Sequence, residues 1–155
     1  MRFFFYGTLV AGHDNPVART VHARLGEGVR ATVPGRLHSV ETPDGWYPLL
    51  TQDFAPDTDA DSDAVVHGYL YEAGPDFSLA DLALLDRWEN FDPRDPDVGE
   101  YRRDAAVART ADGANVPTDV YVYIQPMPAG AIPLARGDFA AWLAETGRRA
   151  ISAQV

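Results

Sequence analysis

Glu89 is the residue best placed for proton transfer. Over residues 78–90 apolar side chains recur at helical spacing. On a helical wheel Leu79, Leu82, Leu85 and Asp86 make a stripe, and Glu89 falls between Leu82 and Leu85. A carboxyl group that ends an apolar face loses hydration. That disfavours its charged form and moves its pKa up toward neutrality, the range in which a general base works. A plainer reading of the same position stays open: in the last helical turn Glu89 can fray into solvent, or pair with an arginine such as Arg87 or Arg102. The second feature is the turn Tyr6-Gly7-Thr8-Leu9. Glycine lets a backbone approach a ligand closely, and successive N–H groups in a turn form a nest for an anion. The same residue types also make an ordinary strand end.

The remaining reactive residue types narrow the chemistry. There is no cysteine, which removes thiolate nucleophiles, thiolate ligands and disulfides. All thirteen cationic side chains are arginines, so no lysine is present to form a Schiff base. Ser39, Ser62, Ser78 and Ser152 include no G-x-S-x-G elbow. His13, His22, His38 and His67 show neither H-E-x-x-H nor another ligand spacing, so neither a metal nor a cofactor is expected. Tyr47, Tyr69, Tyr71, Tyr101, Tyr121 and Tyr123 read as core or cross-strand aromatics, with one or two free to line a pocket. Arg102 and Arg103 open a strand and must point to opposite faces, so only one could meet an anion; a solvent-facing pair is the simpler expectation. The alternating aspartates of residues 55–63 imitate a calcium loop. Counted from Asp57, however, Ser62 stands where glycine is needed and Gly68 where glutamate is needed, so a solvated loop is expected.

These residues need elements to position them. Residues 2–9 are nearly continuous in apolar and aromatic types, the pattern of a strand buried on both faces. Residues 15–25 form a short helix with Asn15 as N-cap and Pro16 in the first turn, ended by Gly26 and Gly28. Extended stretches 30–39 and 46–51 flank the turn Glu41-Thr42-Pro43-Asp44-Gly45, which makes a hairpin. Residues 65–71 alternate as a strand, and a Ser78-x-x-Asp81 capping box opens the helix that carries Glu89. Strands at 101–108 and 120–125 follow, and residues 138–149 close as an amphipathic helix with Phe139, Trp142 and Leu143 on one side. Strand runs broken by isolated helices, without βαβ alternation, give an α+β fold with a small, largely antiparallel, barrel-like sheet.

A chain of 155 residues, 46% hydrophobic, suits one domain. Its formal net charge of -10 repels a phosphate backbone, which excludes nucleic acid as a partner. No apolar run approaches the roughly 18 to 20 residues of a membrane helix. Gly7 arrives too early for a signal-peptide core. A cytoplasmic protein without membrane contact is expected, and no pattern fixes its oligomeric state.

Taken in order, several stretches resemble the γ-glutamylcyclotransferase-like superfamily, and more closely its branch of γ-glutamylamine cyclotransferases. They are Phe5-Tyr6-Gly7-Thr8-Leu9, Val33-Pro34-Gly35-Arg36-Leu37 before Tyr47-Pro48-Leu49-Leu50, Val66-His67-Gly68-Tyr69-Leu70-Tyr71, Leu85-Asp86-Arg87-Trp88-Glu89, Tyr101-Arg102-Arg103 and Val120-Tyr121-Val122-Tyr123. The resemblance implies a compact barrel flanked by helices and a pocket beside the first strand. In that pocket Tyr6, Gly7, Thr8 and Leu9 bind substrate, Glu89 is the catalytic acid/base, and Tyr47 and Tyr101 are candidate substrate contacts. It also implies a small-molecule γ-glutamyl amine or amide as substrate, with 5-oxoproline and a free amine as products. The composition suits this chemistry, because the substrate's own α-amine is the nucleophile. The chain departs from the family pattern over residues 90–100, which are longer and more acidic than the usual short connection. They bring Glu100, a second carboxylate close to Tyr101, as a rival base. The competing reading is a non-catalytic module that binds a γ-glutamyl or amino-acid metabolite; a binder has no need of a carboxylate at position 89.

Overall fold

Consecutive phenylalanines start the first strand, Arg2–Phe5 (β1), and successive side chains leave a strand on opposite faces. Phe3 and Phe5 therefore enter one core cluster and Phe4 another, all three almost fully buried. A strand that is apolar on both faces must be covered on both. The computed structural model, which describes residues 1–52 and 63–152, achieves this by closing the sheet around it.

The later elements are helix Pro16–His22 (α1), strands Val29–Pro34 (β2), Arg36–Thr42 (β3), Gly45–Thr51 (β4) and Val65–Glu72 (β5), and helix Leu79–Trp88 (α2). Strands Tyr101–Thr110 (β6), Asn115–Tyr123 (β7) and Ile132–Pro133 (β8) follow, and helix Phe139–Thr146 (α3) is last. The barrel runs β1-β5-β2-β6-β7. Its neighbours pair antiparallel except at the seam, where β1 meets β7 in parallel at Phe3 and Asp119. A smaller sheet, ordered β4-β3-β8, holds the hairpin expected around residues 41–45. The ring of Trp46 meets that of Trp142 on α3 edge-on at 5.1 Å, joining this sheet to the last helix. The α+β, largely antiparallel barrel is thus the observed architecture.

Some boundaries differ from the sequence reading. The first strand stops at Phe5, because the next residues leave the ladder in a turn, with the Val10 N–H donating to Gly7 O at 3.0 Å. The stretch 30–39 is two strands, β2 in the barrel and β3 in the smaller sheet, divided at Gly35. Leu79, placed on the apolar stripe, is 83% exposed: it is the first residue of α2 and overshoots the surface that Leu85 and Asp86 pack against. β8 is too short and proline-bound to show in the pattern. The aspartate-rich stretch lies, except for Asp63, outside the described residues. No helix among the described residues is long and apolar enough to cross a membrane.

Candidate active site

The turn after β1 is tied down from several directions. Tyr6 donates its hydroxyl to the Tyr121 carbonyl at 2.7 Å. Asn15, fully buried, donates from Nδ2 to Thr8 O at 2.7 Å, while its Oδ1 accepts the Ala18 N–H and so caps α1. Trp88 on α2 donates from Nε1 to Thr8 Oγ1 at 3.1 Å, and His22 Nε2 lies 2.7 Å from Leu9 O. The turn therefore takes its position from α1 and α2. Its backbone N–H groups at Gly7, Thr8 and Leu9 have no acceptor among the described residues, so they are available to an anion.

Gly7 is required by packing. A Cβ there would lie 2.3 Å from Pro48 Cγ, on the rigid ring of a neighbouring strand residue. Gly7→Ala is expected to destabilise the protein by about 2 kcal/mol through overpacking, measured by urea unfolding, and to displace the turn from the cleft it lines.

Glu89 is the C-cap of α2, its N–H bonded to Leu85 O at 3.1 Å, and Asn90 ends the helix in the left-handed region at φ 52°. Glu89 is half-buried and lines the cleft, and its carboxylate forms no hydrogen bond or ion pair among the described residues. Burial, and after it the charge of Glu100, pushes its pKa from 4.5 up to about 8. Among the described residues no ion pair joins Glu89 to Arg102, which is held by Asp104 and Asp97.

All seven residues singled out in the sequence, Tyr6, Gly7, Thr8, Leu9, Tyr47, Glu89 and Tyr101, line a single cleft of about 580 Å³ including its open mouth. Pro48, Trp88, Glu100 and Tyr121 complete much of its wall. Pro48 and Trp88 adjoin selected residues, and their place in the matching stretches was the available signal. Asn15, legible only as a helix cap, was missed as the anchor of the turn because its bond to Thr8 O depends on how α1 packs. Tyr101 donates its hydroxyl to Pro48 O at 2.7 Å, which leaves its ring as cleft wall.

Behind the cleft Asp86 Oδ1 accepts from the Tyr121 hydroxyl at 2.6 Å and from Arg103 Nε at 3.0 Å. Arg103 also reaches Asp119 at 3.3 Å and lies over the Phe91 ring. The solvent-facing arginine pair is therefore corrected: Arg103 is drawn inward because Asp86 needs a cation. Among the described residues no three His, Cys, Asp or Glu side chains gather to hold a metal ion.

The family model described as "Gamma-glutamyl cyclotransferase, AIG2-like" matches residues 3–141. The chain belongs to this family. It is a family of cyclotransferase-like enzymes, and the fold agrees. The structure of YkqA from Bacillus subtilis superposes with a TM-score of 0.62 at 16% identity, over 94% of this chain and 42% of that one. A γ-glutamyl cyclotransferase gives 0.53 at 14% identity, covering 86% of this chain and 70% of its own. A glutathione-specific γ-glutamyl cyclotransferase from yeast gives 0.54 at 13% identity, covering 95% and 85%. The chain thus spans less than half the length of YkqA. No curated protein matches it.

Proposed function

We propose that this AIG2-like family member is a γ-glutamyl cyclotransferase that acts on a γ-glutamyl amine or amide, releasing 5-oxoproline and a free amine, with Glu89 as general acid/base. The observation that carries the reading is Glu89 itself: a carboxyl group whose pKa burial pushes up to about 8, without a partner among the described residues, in the same cleft as a glycine turn whose N–H groups have no acceptor among those residues.

The substrate's α-carboxylate sits against the turn N–H groups, which complement its charge. Its α-ammonium lies toward Glu89, whose carboxylate takes one proton. The freed amine attacks the γ-carbonyl carbon, closing a five-membered lactam. As the intermediate collapses the γ-amide C–N bond breaks and the proton on Glu89 passes to the departing nitrogen; the ring nitrogen gives its second proton to the carboxylate so freed, and that proton follows to the amine, which leaves as an ammonium ion with Glu89 ionised again. Atoms balance without water, and the enzyme supplies no nucleophile. Holding the chain folded exploits the high effective molarity of ring closure. The approaching ammonium also stabilises the ionised carboxylate, so a base with a pKa near 8 in the free enzyme is ionised when substrate is bound.

Purified protein incubated with γ-glutamyl amines, γ-glutamyl amino acids and glutathione should release 5-oxoproline from at least one member of the panel. Thermal stabilisation by a member without any release would instead identify a binding module.

A further inference from the structure

Residues 90–100, the segment that departs from the family pattern, form an excursion pinched shut at its neck. The Glu100 N–H donates to Asn90 O at 3.2 Å, the Ile124 N–H donates to Glu100 O at 3.0 Å, and Gln125 Nε2 donates to Gly99 O at 2.8 Å. Gly99 permits the closure, since a Cβ there would come within 1.8 Å of Asn90 O. The backbone of Glu100 is thus held from both sides, and its side chain lines the cleft with Tyr47, Tyr101 and Glu89. It forms no ion pair among the described residues; Arg102 and Arg103 are committed to Asp97, Asp104, Asp86 and Asp119.

The cleft therefore offers more negative charge than a γ-glutamyl group neutralises. In the reaction proposed above the α-carboxylate meets the turn and the α-ammonium meets Glu89. That leaves Glu100 without a counter-charge, in a cleft it shares with the rings of Tyr47 and Tyr101, which favour cations. Burial raises its pKa, and its charge in turn raises those of Tyr47 and Tyr123 after their own burial. We propose that Glu100 is a specificity-determining residue that selects leaving amines bearing a second positive charge, so that the preferred substrates are γ-glutamyl derivatives of diamines. An acidic leaving group, as in a γ-glutamyl amino acid or peptide, meets like charge at this position. This inference rests on the cyclotransferase reading.

The test compares kcat/KM for 5-oxoproline release from the γ-glutamyl derivatives of diaminobutane, butylamine and aminobutyrate, which match in length and differ in charge. Wild type should favour the diamine over the neutral amine by about tenfold and disfavour the acid by a similar factor, with both ratios shrinking at high salt. Glu100→Gln should bring the diamine-to-butylamine ratio to within about twofold of unity; a ratio cancels any change in Glu89 common to both substrates. Equal turnover of the three by wild type, or a ratio unaltered in Glu100→Gln, overturns the assignment of Glu100 alone. No release from any of them, butylamine derivative included, overturns the cyclotransferase reading and this one with it.

Discussion

Glu89→Gln should lower kcat/KM for a γ-glutamyl amide by about 10²- to 10⁴-fold, the usual contribution of a positioned acid/base, and should make the folded protein more stable at alkaline pH. The second effect follows from the direction of the pKa shift. Glu89 is raised from 4.5 to about 8 on folding, so between those values the folded chain holds a proton that the unfolded chain has released. Stability therefore falls as pH rises through this window and levels off above about 8. Glutamine does not titrate and resembles the protonated acid in shape. The melting temperature of Glu89→Gln minus that of wild type should be constant below pH 4.5, grow from there, and flatten above about 8. In wild type, kcat/KM should rise with pH through the same apparent value, while kcat, reporting the complex with the substrate ammonium, should rise at lower pH. A flat stability difference across the range would mean that Glu89 is solvated as an ordinary surface carboxylate, and undiminished turnover in Glu89→Gln would remove it from the mechanism.

Asp86→Ala is expected to cost about 3 kcal/mol, lowering the melting temperature by about 6–12 °C. Asp86 and Arg103 have side chains only 8% and 17% exposed, and Asp86 Oδ1 also accepts from the Tyr121 hydroxyl. Alanine leaves that hydroxyl buried without its acceptor and strips Arg103 of its shorter ion pair, leaving the longer one to Asp119 at 3.3 Å. Asp86→Asn retains an acceptor for Tyr121 and loses only charge, so it should cost less. Because the Tyr121 carbonyl holds the Tyr6 hydroxyl, the alanine variant should also lose activity, though less than Glu89→Gln. Thermal unfolding and 5-oxoproline release on the same preparations check both parts.

Much of the candidate cleft was legible because its parts carry local signatures. The Ser78-Asp81 capping box fixes where α2 begins and hence that Glu89 falls at its end, on the side shared with Leu85. The glycine after a continuous apolar strand marks a turn, and the consecutive phenylalanines require a strand covered on both faces. Leu79 shows the limit: a wheel gives the direction of a side chain but not how far the packing surface extends beneath it.

What the sequence determined by itself was the inventory and the local geometry: no thiol, no lysine, a carboxylate ending an apolar helical face, a glycine turn, an α+β order of elements. What only the tertiary structure decided was which of these meet. Asn15 holds the turn through Thr8 O, Trp88 crosses from α2 to Thr8 Oγ1, and the pinched neck at Asn90 and Glu100 sets a second carboxylate beside the first. Each of these contacts joins separate elements or closes a loop. Such contacts are selected by the packing of the whole barrel rather than by periodicity, and the raised pKa of Glu89 depends on that same packing, because it is burial that keeps water from its carboxylate.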